Sequence, residues 1–179
     1  MIQRSSYLKL LTIINQVEVK ALAEVGVWFG MNAWSLRSIF PEAHLYLIDP
    51  WKPTHEYFVR GFSPPTKTTT SSIEYFEDAY QFTKELFKNQ KNTTIIRKTS
   101  MDSLPDIPDN LDLVFIDGDH SYEAVKKDIL GFEKKVRVGG LLTGHDYAPR
   151  FPGVVQAVQE IYPGRFQVGD DSVWSIIKT

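Results

Sequence analysis

Two short runs of this sequence carry more reactive side chains than the end of an apolar strand requires. The first is Asp117-Gly118-Asp119-His120-Ser121-Tyr122, directly after Leu113-Val114-Phe115-Ile116. The second is His145-Asp146-Tyr147, directly after Leu141-Leu142-Thr143-Gly144. Carboxylates beside imidazoles can do two kinds of work. They can move a proton near neutral pH, where an imidazole titrates. They can also hold a divalent cation through oxygen and nitrogen donors. Capping explains part of each run, since Asp119 or Ser121 can start a helix and Asp146 a loop. It is the weaker account of both runs together.

A third run, Glu24-Val25-Gly26-Val27-Trp28-Phe29-Gly30, places glycines at both ends of a strand-to-helix turn. Glycine lets backbone approach a ligand closely. The dinucleotide fingerprint needs a further glycine where Trp28 stands, so this turn suits a ligand without a pyrophosphate. Taken alone, it also describes an ordinary tight turn. About 20 positions on, Leu47-Ile48-Asp49-Pro50-Trp51 puts an acid where a ribose diol could donate to it. Trp51 just beyond offers a flat apolar face for a purine. The plainer alternative makes Asp49 a turn cap and Trp51 core.

These residues need a scaffold, and the chain supplies one by alternation. Apolar runs at 22–27, 44–49, 93–97, 111–117 and 140–144 predict five strands, several of them continuously apolar as in a parallel sheet covered on both faces. Between them lie helical periods. After Ser121, residues Val125, Ile129, Phe132 and Val136 share one helix face. Ser71 and Glu74 form a capping box ahead of Ile73, Phe76, Tyr80, Thr83 and Phe87. Shorter helices are expected over 32–40 and 154–162. Runs 165–168 and 172–178 around Gly169-Asp170-Asp171 predict a closing hairpin. The fold class is therefore α/β, a Rossmann-like doubly wound sheet of seven strands with the last antiparallel and helices on both faces. Ligands bind such sheets at the carboxyl ends of the strands.

The composition narrows the function. With 179 residues, 42% of them hydrophobic, the chain fits one domain, 1–179, with a substantial core. Twenty basic against 22 acidic side chains leave no electrostatic footprint for nucleic acid or an anionic membrane. No apolar run has the length of a membrane span, and the N-terminus lacks signal-peptide order, so a cytoplasmic location is expected. The absence of cysteine removes disulfides, thiolate metal sites and thiol nucleophiles together. Loop 52–72 holds His55, Tyr57, Phe58, Phe62 and two prolines, and it is expected to form a substrate-side lid. His44 and the N-terminal helix, with Tyr7, Leu10, Leu11 and Ile14, read as packing.

The ordered set of Glu24, Gly26 and Gly30, then Asp49, then Phe115-Ile116-Asp117-Gly118-Asp119-His120-Ser121-Tyr122 resembles the class I S-adenosylmethionine-dependent methyltransferases over nearly the whole chain. The D-G-D-H-S-Y run with the later G-G-x-L-x-x-H-D is similar to a subgroup of small-molecule O-methyltransferases. This resemblance implies that Glu24 contacts the methionine amino group and that Gly26 leaves room for the methionine end. It implies that Asp49 takes the ribose hydroxyls, with Trp51 and Ser100 near adenine and Asp117 beside the sulfonium. Asp117, His120, His145 and Asp146 become the catalytic candidates. Metal-dependent relatives hold Mg²⁺ on an Asp after strand four and an acid–amide pair after strand five. Those positions are Asp117, His145 and Asp146. A histidine in place of the first carboxylate favours a transition metal over Mg²⁺. The metal-free rival uses His145 or His120 as general base.

The expected partner is a small hydroxylated methyl acceptor, and a homodimer stays open. Two other classes compete. A nicotinamide-dependent Rossmann oxidoreductase is opposed by Trp28, and a non-catalytic cofactor-binding module by the His145-Asp146 pair.

Overall fold

The computed structural model describes residues 3–53 and 72–179. Residues 54–71 of the expected lid, with His55, and Ser71 of the capping box lie outside the described residues.

The chain runs α1 (Arg4–Ile14), β1 (Ala21–Val25), α2 (Met31–Ile39), β2 (His44–Ile48), α3 (Ser72–Phe87) and β3 (Thr93–Ile96). A short α4 (Ser100–Ser103) and a 3₁₀ turn follow, then β4 (Leu111–Ile116), α5 (Tyr122–Glu133), β5 (Val136–Gly144), α6 (Pro152–Ile161), β6 (Gln167–Val168) and β7 (Trp174–Ile177). The sheet order is β3-β2-β1-β4-β5-β7-β6. Strands β1 to β5 pair in parallel, and β7 runs antiparallel to both β5 and β6. The expected seven-stranded sheet with an antiparallel last strand is what forms.

Both faces are covered, which is why β4 is buried at every position. Its side chains still alternate. Leu113 and Phe115 enter one core with α1, α2 and α3, through Leu8, Leu36 and Ala79. Val114 and Ile116 enter the other with α5 and α6, through Val125, Ile129, Phe132 and Val154. Period two on the strand and period 3.6 on the helices meet in these layers.

Three local expectations are corrected. Val136 is not a fourth helical contact, because α5 ends at Glu133 and Val136 opens β5 opposite Leu111. Strand β5 then bulges through Gly139-Gly140, since Leu111 pairs with Val136 but Leu113 pairs with Leu141. Ser121 stands at the N-cap of α5 without a capping bond; instead Asp119 Oδ1 accepts from the Ser121 N–H at 2.8 Å. His44 is structural as expected, with Nε2 2.8 Å from Thr94 Oγ1.

Register alone assembles the candidate site. Val25 pairs with Ile48 and with Ile116, Ile116 with Gly144, and Gly144 with Trp174. The residues that follow, Asp49, Gly26, Asp117 and His145, therefore stand side by side along the carboxyl edge. Strand order reverses between β1 and β4, so the edge includes the switch point. Among the described residues, no helix is long and apolar enough to cross a membrane.

Candidate active site

The glycine turn after β1 is built around Asp49. Its Oδ2 accepts from the Val27 and Trp28 N–H groups at 2.9 Å each, and Oδ1 from the Trp51 N–H at 2.6 Å. Burial pushes this carboxyl above its ordinary range, against the pull of those three donors. A carboxylate thus fills the anion-binding position that a Rossmann turn offers to a phosphate. The Trp28 ring stands outward, 52% exposed, against Phe29 and Tyr75, so it does not itself obstruct the turn.

Trp51 is a correction. Its ring is 1% exposed, stacks obliquely on Tyr80 and donates from Nε1 to the Trp28 carbonyl at 2.8 Å. It is core and offers no face to a purine. Gly30 caps α2 in the left-handed region, as a residue without a side chain can. Ser100 opens α4 at the end of β3, and its side chain bonds the buried Asp128 of α5.

Because Asp49 supports the turn with three bonds, Asp49→Ala should lower stability by about 3 kcal/mol or more, since it leaves buried N–H groups unmatched. Thermal melting reads that loss. Affinity for S-adenosylhomocysteine, measured well below the melt, reads the separate ribose role, which an unchanged affinity would refute.

Glu24 is the most exposed to consequence among the buried acids. It lies on β1 at 1% exposure, and Oε1 accepts from Asn32 Nδ2 of α2 at 2.9 Å. Oε2 is buried with no hydrogen-bond partner. Burial, opposed by Asn32 and by Arg4, and reinforced by Asp117 and Asp49, pushes its carboxyl up to about 8. The sequence shows Asn32 only as a helix start, and its bond to Glu24 arises from the packing of α2 on β1.

At the ends of β4 and β5 the two reactive runs do meet. His120 Nε2 lies 2.8 Å from Asp146 Oδ2, and the His120 ring packs on Phe151. His145 Nδ1 lies 3.2 Å from Asp146 and 3.4 Å from Asp117. Burial lowers the His145 imidazole, but Asp117 and Asp146 outweigh it and carry the group up to about 9. Asp146 is itself buried, yet His120 and His145 hold its carboxyl well below the usual range. Arg150 stands 3.4 Å from its other oxygen. Asp119 gives Oδ1 to the turn, where it accepts from the Ser121 N–H.

Around the expected metal set of Asp117, His145 and Asp146 the structure gathers one further donor, His120. Ligand atoms of Asp117, His120 and Asp146 come within 4.8 Å of one another, whereas the His145 nitrogens are turned to acids on both sides. A cavity of about 10 Å³, room for one water or cation, is lined by Asp117, His120 and His145. A larger open cavity of about 810 Å³ begins at Tyr147 and follows Pro149, Pro152, Val155, Gln156 and Gln159. It runs beside the segment that follows His145-Asp146.

Two contacts were not legible in the sequence. Arg4 of α1, an element read as packing only, places Nη1 2.5 Å from Asp117 Oδ2. Asp171 of the closing hairpin faces His145. Backbone strain marks the same edge. Among the described residues, non-glycine positive φ occurs at Trp28, Trp51, Asp146, Asp171 and Ser172, all at the carboxyl ends of strands or in the hairpin beside them, and elsewhere only at Gln16 and Asn110. Such strain gathers where function over-determines the backbone.

Comparison with known proteins agrees with this fold. The chain is 35% identical over 69 residues to an uncharacterised protein of Acanthamoeba polyphaga mimivirus, a match covering 35% of this chain and 31% of that protein. Among solved structures, it superposes on the O-methyltransferase NovP with a TM-score of 0.69 at 19% identity, covering 98% of this chain and 79% of that one. An O-methyltransferase from Bacillus cereus in complex with SAH gives 0.64 at 15%, covering 99% and 83%. A TDP-rhamnose 3′-O-methyltransferase of calicheamicin biosynthesis gives 0.56 at 14%, covering 98% and 80%. These likenesses are of fold. Residues 23–147 match the family described as a methyltransferase domain, a span that takes in Glu24, Asp49, Asp117, His120, His145 and Asp146, and the chain belongs to that family.

Proposed function

We propose that this chain is an S-adenosylmethionine-dependent O-methyltransferase acting on a small hydroxylated molecule. The observation that carries the reading is Glu24 Oε2, a buried carboxylate oxygen without a partner beside the glycine turn. A cationic amino group supplies the donor it lacks, and burial of the pair strengthens the attraction. When bound, S-adenosylmethionine supplies a methyl group activated on a sulfonium sulfur.

The chain's own residues do the rest. Glu24 binds the amino group, with Asn32 fixing its other oxygen. Asp49 keeps one lone pair for a ribose hydroxyl while it holds the turn. Asp146 orients His120 through Nε2, and His120 takes the acceptor's hydroxyl proton at Nδ1. In the transfer, the acceptor oxygen forms a bond to the methyl carbon as the carbon–sulfur bond breaks and its electron pair stays on sulfur. His120 is favoured over His145 by access, since its side chain is 21% exposed against 6%. A divalent cation, where one is used, would be held by Asp117, His120 and Asp146 and would lower the pKa of the acceptor hydroxyl. The imidazole in that set favours Mn²⁺, Fe²⁺ or Zn²⁺ over Mg²⁺. The acceptor would lie along the groove that starts at Tyr147.

The test is calorimetric titration with S-adenosylhomocysteine and, separately, NADH, repeated with EDTA and with Mn²⁺ or Mg²⁺. Binding of the first ligand alone supports the class and justifies an acceptor screen with labelled methyl donor. Binding of NADH alone would move the chain to the oxidoreductases. A heat that requires metal would select the cation-assisted form.

Glu24 adds a sharper expectation. With its carboxyl at about 8 in the free protein, it is mostly protonated at pH 7. A bound ammonium group drives it to the carboxylate, so binding at pH 7 should release close to one proton. The release should fade above about pH 9, where Glu24 is already ionised. Titration in buffers of different ionisation enthalpy measures it, and Glu24→Gln should abolish both the release and most of the affinity.

A further inference from the structure

The chemistry above leaves Arg4, Tyr7 and Asp171 unused, yet all three converge on the ends of β4 and β5. His145 is 7% exposed, and its Nε2 makes no hydrogen bond. The acid that faces this nitrogen is Asp171, with Oδ2 at 3.7 Å. Asp117 and Asp146 stand on the Nδ1 side.

Asp171 reaches that place through an unusual turn. Asp171 and Ser172 have φ of 54° and 57°, left-handed values that residues other than glycine rarely adopt, and here two occur in succession. The turn's glycine is not used for this purpose. Gly169 has φ of −125°, and its missing side chain admits Tyr7 of α1, whose hydroxyl would lie 1.9 Å from a Cβ there. The Ser172 carbonyl accepts from the Tyr147 N–H at 3.0 Å, which ties the hairpin tip to the segment after His145-Asp146. Arg4 closes the arrangement, with Nη1 on Asp117 and Nε 3.3 Å from Asp171 Oδ2.

We propose that Asp171 is a positioning residue of the transferase site: aimed by Arg4 and by the left-handed hairpin tip, its carboxylate closes the Nε2 side of His145 and fixes the imidazole against Asp117 and Asp146. Pairing with Arg4 alone does not account for the turn. Half-exposed ion pairs contribute little, and two strained residues cost more than such a pair returns. A buried imidazole nitrogen without a partner has more at stake. The inference rests on the reading that Asp146 orients the reacting His120, a pair His145 reaches through its own contact with Asp146.

The test uses the full chain and three proteins: wild type, Asp171→Gly and Asp171→Asn. Glycine takes φ of 54° without strain, so Asp171→Gly should melt at or above the wild-type temperature. Its affinity for S-adenosylhomocysteine should stay within about three-fold. The imidazole resonances of His145, assigned by their loss in His145→Gln, should nevertheless move, with faster exchange of the Nε2 proton. Asp171→Asn keeps an acceptor oxygen and should restore part of the wild-type spectrum. With an acceptor in hand, kcat of Asp171→Gly should fall by about ten-fold at nearly constant cofactor affinity. His145 resonances in both variants that superimpose on wild type would overturn the proposal, as would a common loss of melting temperature with an unaltered spectrum. If wild type itself fails to bind S-adenosylhomocysteine, the transferase reading fails, and the His145 spectra still decide what Asp171 does.

Discussion

Asp146→Ala should reduce methyl transfer by about 10²–10⁴-fold while leaving affinity for S-adenosylhomocysteine within about two-fold. The size follows from how many groups lean on this carboxylate. Its Oδ2 lies 2.8 Å from His120 and 3.2 Å from His145, and Arg150 approaches its other oxygen. Removing it takes away the acceptor at His120 Nε2 and the charge that stabilises imidazolium as the acceptor proton arrives. His120→Ala should cost a similar factor, because it removes the group that receives the proton. The double variant should be little worse than either single one, since the two act as a unit. Steady-state rates with labelled methyl donor measure the first effect and calorimetry the second. Additive losses in the double variant would show that the residues work independently. Full activity in His120→Ala would hand the proton to another group.

The parts of this site that could be read from sequence are those that depend on strand ends. Continuous apolar runs locate β1, β2, β4 and β5 to within a few residues, and parallel pairing then makes the next residues neighbours whatever the side chains do. That is why Gly26, Asp49, Asp117, His120, His145 and Asp146 could be placed together. What could not be read depends on rotations and on distant contacts. Trp51 looks like a platform in sequence, but a φ of 45° turns its ring into the core under Tyr80. The addition of His120 to the small cavity that His145 also lines depends on a φ of 58° at Asp146, whose carboxylate meets both imidazoles. Periodicity cannot register a single left-handed residue. Arg4 and Asp171 reach the site from opposite ends of the chain, and no local pattern announces a contact of that kind. The last helical contact assigned to α5 failed for a different reason. Val136 keeps the helical spacing by coincidence while its backbone already pairs with Leu111.

Among the described residues, Gly26→Ala should be the most damaging single added methyl group. A Cβ at Gly26 would lie 2.1 Å from the Asp117 carbonyl oxygen, 2.5 Å from its carbon and 2.7 Å from the Gly118 nitrogen. All three are backbone atoms, so no side chain can swing aside to relieve the contact. The residue also has φ of 87°, which costs alanine about 1–2 kcal/mol before any clash is counted. Relief requires the end of β1 to move off β4, which loosens the Asp117 N–H bond to Val25 O and the Gly26 N–H bond to Ile48 O. Together these effects should exceed about 4 kcal/mol, a large share of the 5–15 kcal/mol that holds a typical domain. The expected result is a variant that is recovered poorly, or one that melts far below wild type and binds no S-adenosylhomocysteine. The family resemblance gives this glycine the task of leaving room for a ligand. The geometry adds an earlier one, since its bare Cα lets the turn lie against the end of β4 and sets where Asp117 stands. A Gly26→Ala protein that melts normally but binds nothing would return the glycine to the ligand alone. One that melts early, with residual binding in the cold, would give it to the fold first and to the ligand through Asp117.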